Sequence, residues 1–384
     1  MLDTIYTTEE HIALREQVAR FLAKEIEPFG AAWEEQGFVP RDVLRKMGEL
    51  GLFGITYPTQ YGGSEADALT SLVFAEALSR STFGGFIVTV LVHTDMASPH
   101  LVNAGTPVQL AKYLPRVIRG DLITAVAVTE PDAGSDVAAI RTRARRDGDH
   151  WVLNGAKMFI TNGVYANLYF VAARTDPNAK GSRGISMFIV EKGAPGFRVG
   201  RSLDKMGWRC SDTAELVFED CRIPVENLLG EENGGFYAIM KNFQTERIAA
   251  GAMAVGHALT ALRLTIEYVK QRKAFGGVLF DKQVIRQRLA MLEAKTHAAR
   301  HFLYHCAWLV TQGCDCVREV SMLKALSGEL ANEVIYTCQQ FHGGMGYMRE
   351  STIERLARDA RVLTIGGGAT EVMLEEVAKR FAPD

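Results

Sequence analysis

The apolar residues of this chain change their spacing twice, and that double change limits the fold more than any other feature. From about residue 8 to 120 they recur at three- and four-residue intervals, as through Leu14, Val18, Phe21, Leu22 and Ile26, the period of a helix with one buried face. Pro28 and the stretch from Gly37 to Pro40 interrupt it, and the turn Pro58-Thr59-Gln60-Tyr61-Gly62-Gly63 separates one helical group from the next. From about 121 to 235 the pattern becomes that of strands. Leu168 to Ala172, Ile185 to Val190 and Glu215 to Phe218 are short runs rich in branched and aromatic side chains, and they follow one another without helical patterns between them. A β-barrel or sandwich is expected there rather than a parallel sheet with crossover helices. From 236 onward the helical period returns. Ile285, Leu289, Leu292, Ala299, Phe302, Cys306 and Leu309 mark one face of a long helix, and successive helices of this kind imply an antiparallel bundle. The expected architecture is α+β: an N-terminal helical domain over 1–120, a middle β-barrel domain over 121–235 and a C-terminal four-helix-bundle domain over 236–384.

Composition removes several function classes. With 43 basic against 45 acidic residues the formal net charge is -2, which provides no field for gathering nucleic acid or an anionic membrane. The six cysteines, at 210, 221, 306, 314, 316 and 338, contain no CxxC pair; a reducing compartment fits better than a disulfide framework. Cys314 and Cys316 lack a second ligand pair nearby, so no metal is expected. The N-terminus, MLDTIYTTEEHIALREQ, is acidic and has no apolar core of a leader, and no stretch reads as the roughly 18 apolar residues that cross a bilayer. A cytoplasmic protein without a membrane span is the expectation.

One segment carries chemistry. Val126-Ala127-Val128-Thr129-Glu130-Pro131-Asp132-Ala133-Gly134-Ser135-Asp136 is followed, after a hairpin, by Asn154-Gly155-Ala156-Lys157-Met158-Phe159-Ile160-Thr161-Asn162-Gly163. A flat redox-active ring needs an apolar wall, a hydroxyl aimed at a ring nitrogen, and small residues where a pyrophosphate meets backbone N–H groups. Val128, Thr129, Gly134, Ser135, Phe159 and Thr161 are residues of those types. The Arg141 to Arg146 run reads as a solvated hairpin, and His342 beside Gly343-Gly344 as a packing residue. Gly366-Gly367-Gly368 is not a dinucleotide fingerprint, because it neither follows a first strand nor opens a βαβ unit.

With TEPDAGSD, NGAKMFITNG, KMGWRCSDTAELVFEDCRIPVENLLG, QRKAFG and QFHGGMGYMRE leading to RDARV in this order, the chain resembles the acyl-CoA dehydrogenases along essentially its whole length. The resemblance implies helical, β and helical domains, FAD as cofactor, a homotetramer built as a dimer of dimers, an acyl-CoA substrate and an electron-transfer flavoprotein as acceptor. The large C-terminal extension of the related oxidases is not seen. Residue by residue, the resemblance implies that Thr129 meets the flavin pyrimidine edge, Thr161 approaches N5, Phe159 stacks beside the ring and Ser135 contacts the pyrophosphate, within a cofactor set that includes Val126, Val128 and Gly134. Arg272, Phe275 and Gln283 match residues that reach the FAD of a neighbouring subunit. Gln340, Gly344, Ala369 and Glu371 match further cofactor contacts; Ala369 stands where relatives often have threonine. Ser135, Arg247 and Gly366 are the implied substrate contacts.

The same resemblance exposes a gap. Removing the proton next to a thioester needs a carboxylate in a desolvated pocket, and many family members hold it in a Tyr-Glu-Gly-Thr-like turn. Here that turn reads Ile365-Gly366-Gly367-Gly368-Ala369-Thr370, with glycine at the glutamate position. The long-chain and isovaleryl branches carry the base instead on the first helix of the C-terminal domain, just before an arginine, and Glu246-Arg247 matches that pair. Glu246 is the expected base. Gly367 retains an amide able to hydrogen-bond the thioester carbonyl, an oxyanion-hole role. The expected reaction is α,β-dehydrogenation of an acyl-CoA to the trans-2-enoyl-CoA. A dehydrogenase of carrier-protein thioesters, an enoyl-thioester reductase and a non-catalytic FAD- or CoA-binding homologue stand as alternatives.

Overall fold

The computed structural model describes residues 5–381; residues 1–4 of the N-terminal reading and 382–384 of the expected last domain lie outside them. Among the described residues seven α-helices come first: α1 (Glu9–Phe21), α2 (Gly30–Gln36), α3 (Arg41–Glu49), α4 (Ala68–Leu78), α5 (Gly84–Leu91), α6 (Ser98–Ala104) and α7 (Pro107–Ile118). Their starts are written locally. Thr8 and His11 form a reciprocal capping box at α1, Asp67 accepts the Thr70 amide at α4, and Thr106 with Gln109 caps α7, where Pro107 takes the first turn.

Eight strands follow in one sheet: β1 (Thr124–Ala127), β2 (Arg143–Asp147), β3 (His150–Thr161), β4 (Leu168–Arg174), β5 (Ile185–Glu191), β6 (Phe197–Ser202), β7 (Thr213–Pro224) and β8 (Leu228–Leu229). The order is β6-β7-β3-β2-β4-β5-β8, with β1 on β4. Pairing is antiparallel except where β1 and one residue of β2 meet β4 in parallel. Among the described residues no pairing joins β6 to β8, so the strand path is open. The arginine-rich β2 is a hairpin partner of β3, and its Arg143, Arg145 and Arg146 face solvent.

β4 and β5 explain why their sequences lack polar alternation. Tyr169, Val171, Ala173, Phe188 and Val190 enter a core belonging to the sheet, with Trp151, Leu153, Leu216 and Phe218. The intervening Leu168, Phe170, Ala172, Met187 and Ile189 enter the larger core shared with the helices. Side chains alternate faces along a strand, so a strand buried on both sides reads as a continuous apolar run.

The chain then forms α8 (Gly235–Gln271), a two-stranded hairpin of β9 (Lys273–Ala274) and β10 (Gly277–Val278), α9 (Gln283–Thr311), α10 (Val317–His342), α11 (Thr352–Ala360) and α12 (Thr370–Ala378). On the face predicted for α9, Leu289, Leu292, Ala299 and Cys306 are buried, while Ile285, Phe302 and Leu309 pack at its edge. α8 corrects the expectation that no segment is apolar enough to span a bilayer. It contains an 18-residue window of mean hydropathy 1.3, sufficient by length and composition, yet 78% of that window is buried in the fold. The cause is position: α4, α9 and α10 all pack on α8, so it is apolar around most of its circumference.

One ion pair fastens the first helical group to the last. Glu76 of α4 is 2% exposed. It is gripped by the Arg300 guanidinium of α9 through Nε and, at 2.8 Å, Nη2, and it accepts the Tyr304 hydroxyl at 2.7 Å. Burial pushes the Glu76 carboxyl up, but the Arg300 and Tyr304 donors outweigh it and hold it below its ordinary range. Removing one partner would strand a buried charge. Arg300→Ala is expected to cost about 3–5 kcal/mol of stability in denaturant unfolding, whereas truncating the exposed Arg145 should change it by less than about 1 kcal/mol.

Candidate functional site

The segment singled out in the sequence is held by buried charges on its protein side. Lys157 of β3 is 0% exposed and donates to the Glu130 carboxylate at 2.7 Å and to the Val128 carbonyl at 2.9 Å. Glu130 also accepts the amides of Arg141 at 2.6 Å and Thr142 at 2.9 Å. Burial brings the Lys157 ammonium down to about 8, with Glu130 acting in the opposite sense. The loop leaving β1 is therefore pinned to the middle of β3, and the Met158 amide closes the join on the Thr129 carbonyl at 2.9 Å.

That pinning presents Phe159. The β3–β7 register slips between Lys157 and Ile160, the signature of a bulge, and Phe159 takes φ of 61° while 66% of it stays exposed. A bulky residue in the left-handed region is rare and strained. Here the strain turns an aromatic ring outward between the buried Lys157 and Ile160. Asn162, also at positive φ and buried, secures the strand end by donating to the carbonyls of Thr89 at 3.0 Å and Thr124 at 3.2 Å. Thr129 and Thr161 are half-buried, Val128 is buried, Val126 is half-buried, and Gly134 and Ser135 are exposed. A Cβ on Gly134 would meet nothing within 4 Å, so its backbone is open to a ligand. These seven residues lie on the β1 and β3 side, and in kind they fit FAD: an exposed aromatic wall, three hydroxyls and an accessible glycine backbone.

A second group forms between α8 and the turn ahead of α12. Gly367 has φ of 64°, and a Cβ built on it would lie 3.5 Å from Glu246 Oε1. Residues 121 positions apart in the chain thus face one another. Glu246 is half-buried by accessible surface, yet protein surrounds its carboxyl densely enough that burial raises it to about 7, against the opposing charges of Arg247 and Lys324. Arg247 lies over the Phe243 ring, 5.7 Å from guanidinium carbon to ring centre, and its Nε is buried without a hydrogen-bond partner among the described residues. Gly366 is exposed, Ala369 is the N-cap of α12, and Glu371 is exposed in its first turn.

The remaining predicted residues sit apart. Arg272 caps the end of α8, Gln283 opens α9, and Phe275 is 90% exposed on the intervening hairpin with φ of 50°. Gln340 lies in the last turn of α10 and Gly344 in the tight turn after it, both exposed. All five are exposed within one chain. His342 packs: its Nε2 lies 3.2 Å from Thr265 Oγ1 and its ring stacks on Tyr268 at 4.2 Å.

Two buried groups escaped the sequence reading. Asp359, inside the RDARV motif, is 0% exposed and accepts the amides of Trp208 at 2.6 Å and Gly84 at 3.0 Å, joining α11, the strap before β7 and α5; burial raises it to about 6. Lys324 of α10 is 2% exposed and bonds the glycine turn. A charged residue amid apolar neighbours on a helix was the available signal for Lys324. A separate cavity of about 270 Å³, lined by Asp95, Ser71, Thr245 and Ile248, lies on a different face of α8 and includes neither Glu246 nor Gly367.

Comparison with known proteins agrees with this arrangement. Residues 8–121, 125–221 and 233–382 match the family models described as acyl-CoA dehydrogenase N-terminal, middle and C-terminal domains. The long-chain specific acyl-CoA dehydrogenase of Mus musculus mitochondria is 42% identical over 381 residues, covering 98% of this chain and 87% of the relative. A crystal structure of acyl-CoA dehydrogenase from Geobacillus kaustophilus superposes with a TM-score of 0.95 at 41% identity, covering 99% of this chain and all of that one. A Mycobacterium smegmatis glutaryl-CoA dehydrogenase, solved in complex with FADH2, gives 0.92 at 28% identity and covers 98% and 95%.

The carboxyl of Glu246 has a stability consequence with a definite sign. A raised carboxyl binds its proton more tightly in the folded than in the unfolded chain, so folding loses stability as pH climbs from the ordinary carboxylate range to about 7 and changes no further above it. Glu246→Gln, which cannot ionise, should escape that loss. Urea midpoints measured from pH 5 to pH 8 should therefore diverge in favour of the variant as pH rises; parallel curves would exclude a buried, raised carboxyl at this position.

Proposed function

The chain belongs to the acyl-CoA dehydrogenase family, and from that membership we propose that it is an FAD-dependent acyl-CoA dehydrogenase whose proton-abstracting base is Glu246. The observation that carries the reading is the meeting of Glu246 Oε1 with the empty Cβ position of Gly367 at 3.5 Å. A base must be basic enough at neutral pH to take a weakly acidic proton and still be ionised part of the time, and a carboxyl raised to about 7 meets both demands. Glu246 takes the proton from the carbon next to the thioester carbonyl. The Gly367 amide donates to that carbonyl oxygen and stabilises the charge that builds there. Bound FAD supplies the hydride acceptor for the hydrogen on the next carbon, giving the trans-2-enoyl thioester.

Thr129, Thr161, Phe159, Val126 and Val128 are the proposed ring contacts, with Gly134 and Ser135 at the pyrophosphate. Arg247, Gly366 and Ser135 are the proposed substrate contacts. Arg272, Phe275 and Gln283 are assigned to the cofactor of a neighbouring subunit, with Gln340, Gly344, Ala369 and Glu371 as further contacts. Support comes from exposure: a phenylalanine 90% exposed in a fixed hairpin is poorly explained within one chain. A homotetramer built as a dimer of dimers, an electron-transfer flavoprotein as acceptor and a cytoplasmic setting complete the proposal.

Glu246→Gln should still bind FAD and acyl-CoA but reduce flavin at least about 10²-fold more slowly in anaerobic stopped-flow at saturating substrate. A near wild-type rate would remove Glu246 as base. Adding Gly367→Glu to Glu246→Gly should restore only part of the rate, because the new side chain must adopt φ near 64°. Arg272→Ala should lose FAD on gel filtration; retention equal to wild type would argue against its intersubunit role.

A further inference from the structure

Three residues spaced four apart on α10 grip the segment that carries Gly367. Lys324 donates to the Leu363 carbonyl at 2.8 Å and to the Gly368 carbonyl. Gly328, one turn on, lets Leu363 lie against the helix, since a Cβ there would be 2.7 Å from the Leu363 carbonyl oxygen. Asn332, a further turn on, donates to the Ala360 carbonyl at 3.0 Å. Residues four apart share one face of a helix, so Lys324, Gly328 and Asn332 form a stripe that follows the strap from Ala360 to Gly368.

The strap needs such a grip. Three consecutive glycines, Gly367 and Gly368 at φ of 64° and 102°, give it more backbone freedom than other residues would. Within the strap, the Ile365 and Gly366 amides bond back to Val362 at 2.9 and 2.8 Å, and neither bond reaches Gly367 or Gly368. Lys324 bonds the Leu363 carbonyl ahead of the glycines and the carbonyl of the last of them. Replacing its buried ammonium removes both bonds at once.

We propose that Lys324 is a positioning residue for the proton-transfer site: it clamps the glycine strap so that Gly367 stays opposite Glu246, and it provides the buried positive charge against which Glu246 ionises. This rests on Glu246 acting as the base. The charged groups around the pair are few. Arg247 on α8 and Lys324 on α10 both favour the Glu246 carboxylate. Glu329 on α10 acts on Lys324, and Glu376 and Arg380, beyond the strap, act on Arg247. Burial brings Lys324 itself down to about 8, offset in part by Glu246, so the ammonium remains mostly protonated at neutral pH.

The test compares Lys324→Met, which keeps length but loses charge and donors, with Lys324→Arg, which keeps both. Two quantities are read on FAD-loaded protein: the anaerobic flavin-reduction rate at saturating substrate, and the pH midpoint of the infrared carboxyl band that Glu246→Gln lacks. Lys324→Met should slow flavin reduction on the order of 10- to 100-fold, as a small misplacement at a reacting centre does. It should also move the carboxyl midpoint upward by about one pH unit, as loss of a nearby opposite charge does. Lys324→Arg should recover much of both. A role limited to stability would lower the unfolding midpoint and leave the carboxyl midpoint in place, which overturns the proposal, as does a wild-type rate in Lys324→Met. Should Lys324→Met fail to fold, Gly328→Ala lifts the strap while leaving the ammonium: a slowed reaction with an unchanged carboxyl midpoint supports the clamp, and a wild-type rate overturns it. Glu246→Gln run in parallel separates the two ideas, because wild-type flavin reduction in that variant defeats the base itself.

Discussion

The structure depends on keeping a carboxyl able to ionise in a place that disfavours charge. Protein atoms packed round Glu246 raise it to about 7, and such desolvation strengthens a carboxylate as a base, as the proposed proton abstraction requires. Too much burial would leave it permanently protonated; too little would leave it an ordinary surface carboxylate. Arg247 beside it on α8 and Lys324 from α10 supply the opposing charge. The balance is one of position, because both cations are themselves depressed by burial.

The same problem recurs at the other joints, with the same answer. Lys157 with Glu130, Arg300 with Glu76 and Asp359 with two backbone amides are each buried polar centres that join elements far apart in sequence. A buried charge left unpartnered is strongly unfavourable, so each such centre admits only arrangements that bring all its partners together. In this chain they fix the loop after β1 against β3, the first helical group against the last, and the strap before β7 against both. The Lys157–Glu130 junction holds the segment proposed to meet the cofactor.

Much of the fold was legible because burial on one face writes a period into the chain. The α9 stripe from Leu289 to Cys306 is of that kind. α8 was misjudged for the converse reason: covered by α4, α9 and α10, it resembles a membrane span in composition while serving as the central helix of a packed body. Strand order was not legible, since alternation reports which faces are buried and not which neighbours are paired. The motif residues were picked out by type alone, and the bulge that turns Phe159 outward was hidden because φ of 61° at a phenylalanine contradicts local preference. Lys324 and Asp359 were passed over for a related reason. A lone charged residue in a helix is usually solvated, and only the tertiary structure reveals which carbonyls or amides await it.

The glycine at 367 and the glutamate at 246 are not two independent features. A Cβ at 367 would stand 3.5 Å from Glu246 Oε1, so a glutamate there would bring a second carboxyl into the space that the first occupies. Two carboxylates sharing a desolvated site cannot both ionise: one is driven to hold its proton, and its partner is then perturbed in turn. Only one of the two positions can carry a working base. Glycine at 367 removes the competitor and, under the proposed mechanism, leaves room for substrate beside Glu246 and keeps a backbone amide that needs no side chain to act. Its left-handed backbone, at φ of 64°, also lets the strap turn sharply enough to face α8. In the proposed mechanism the absence of a side chain is thus part of what makes Glu246 usable, and the strap that delivers that absence has to be held as firmly as a catalytic side chain.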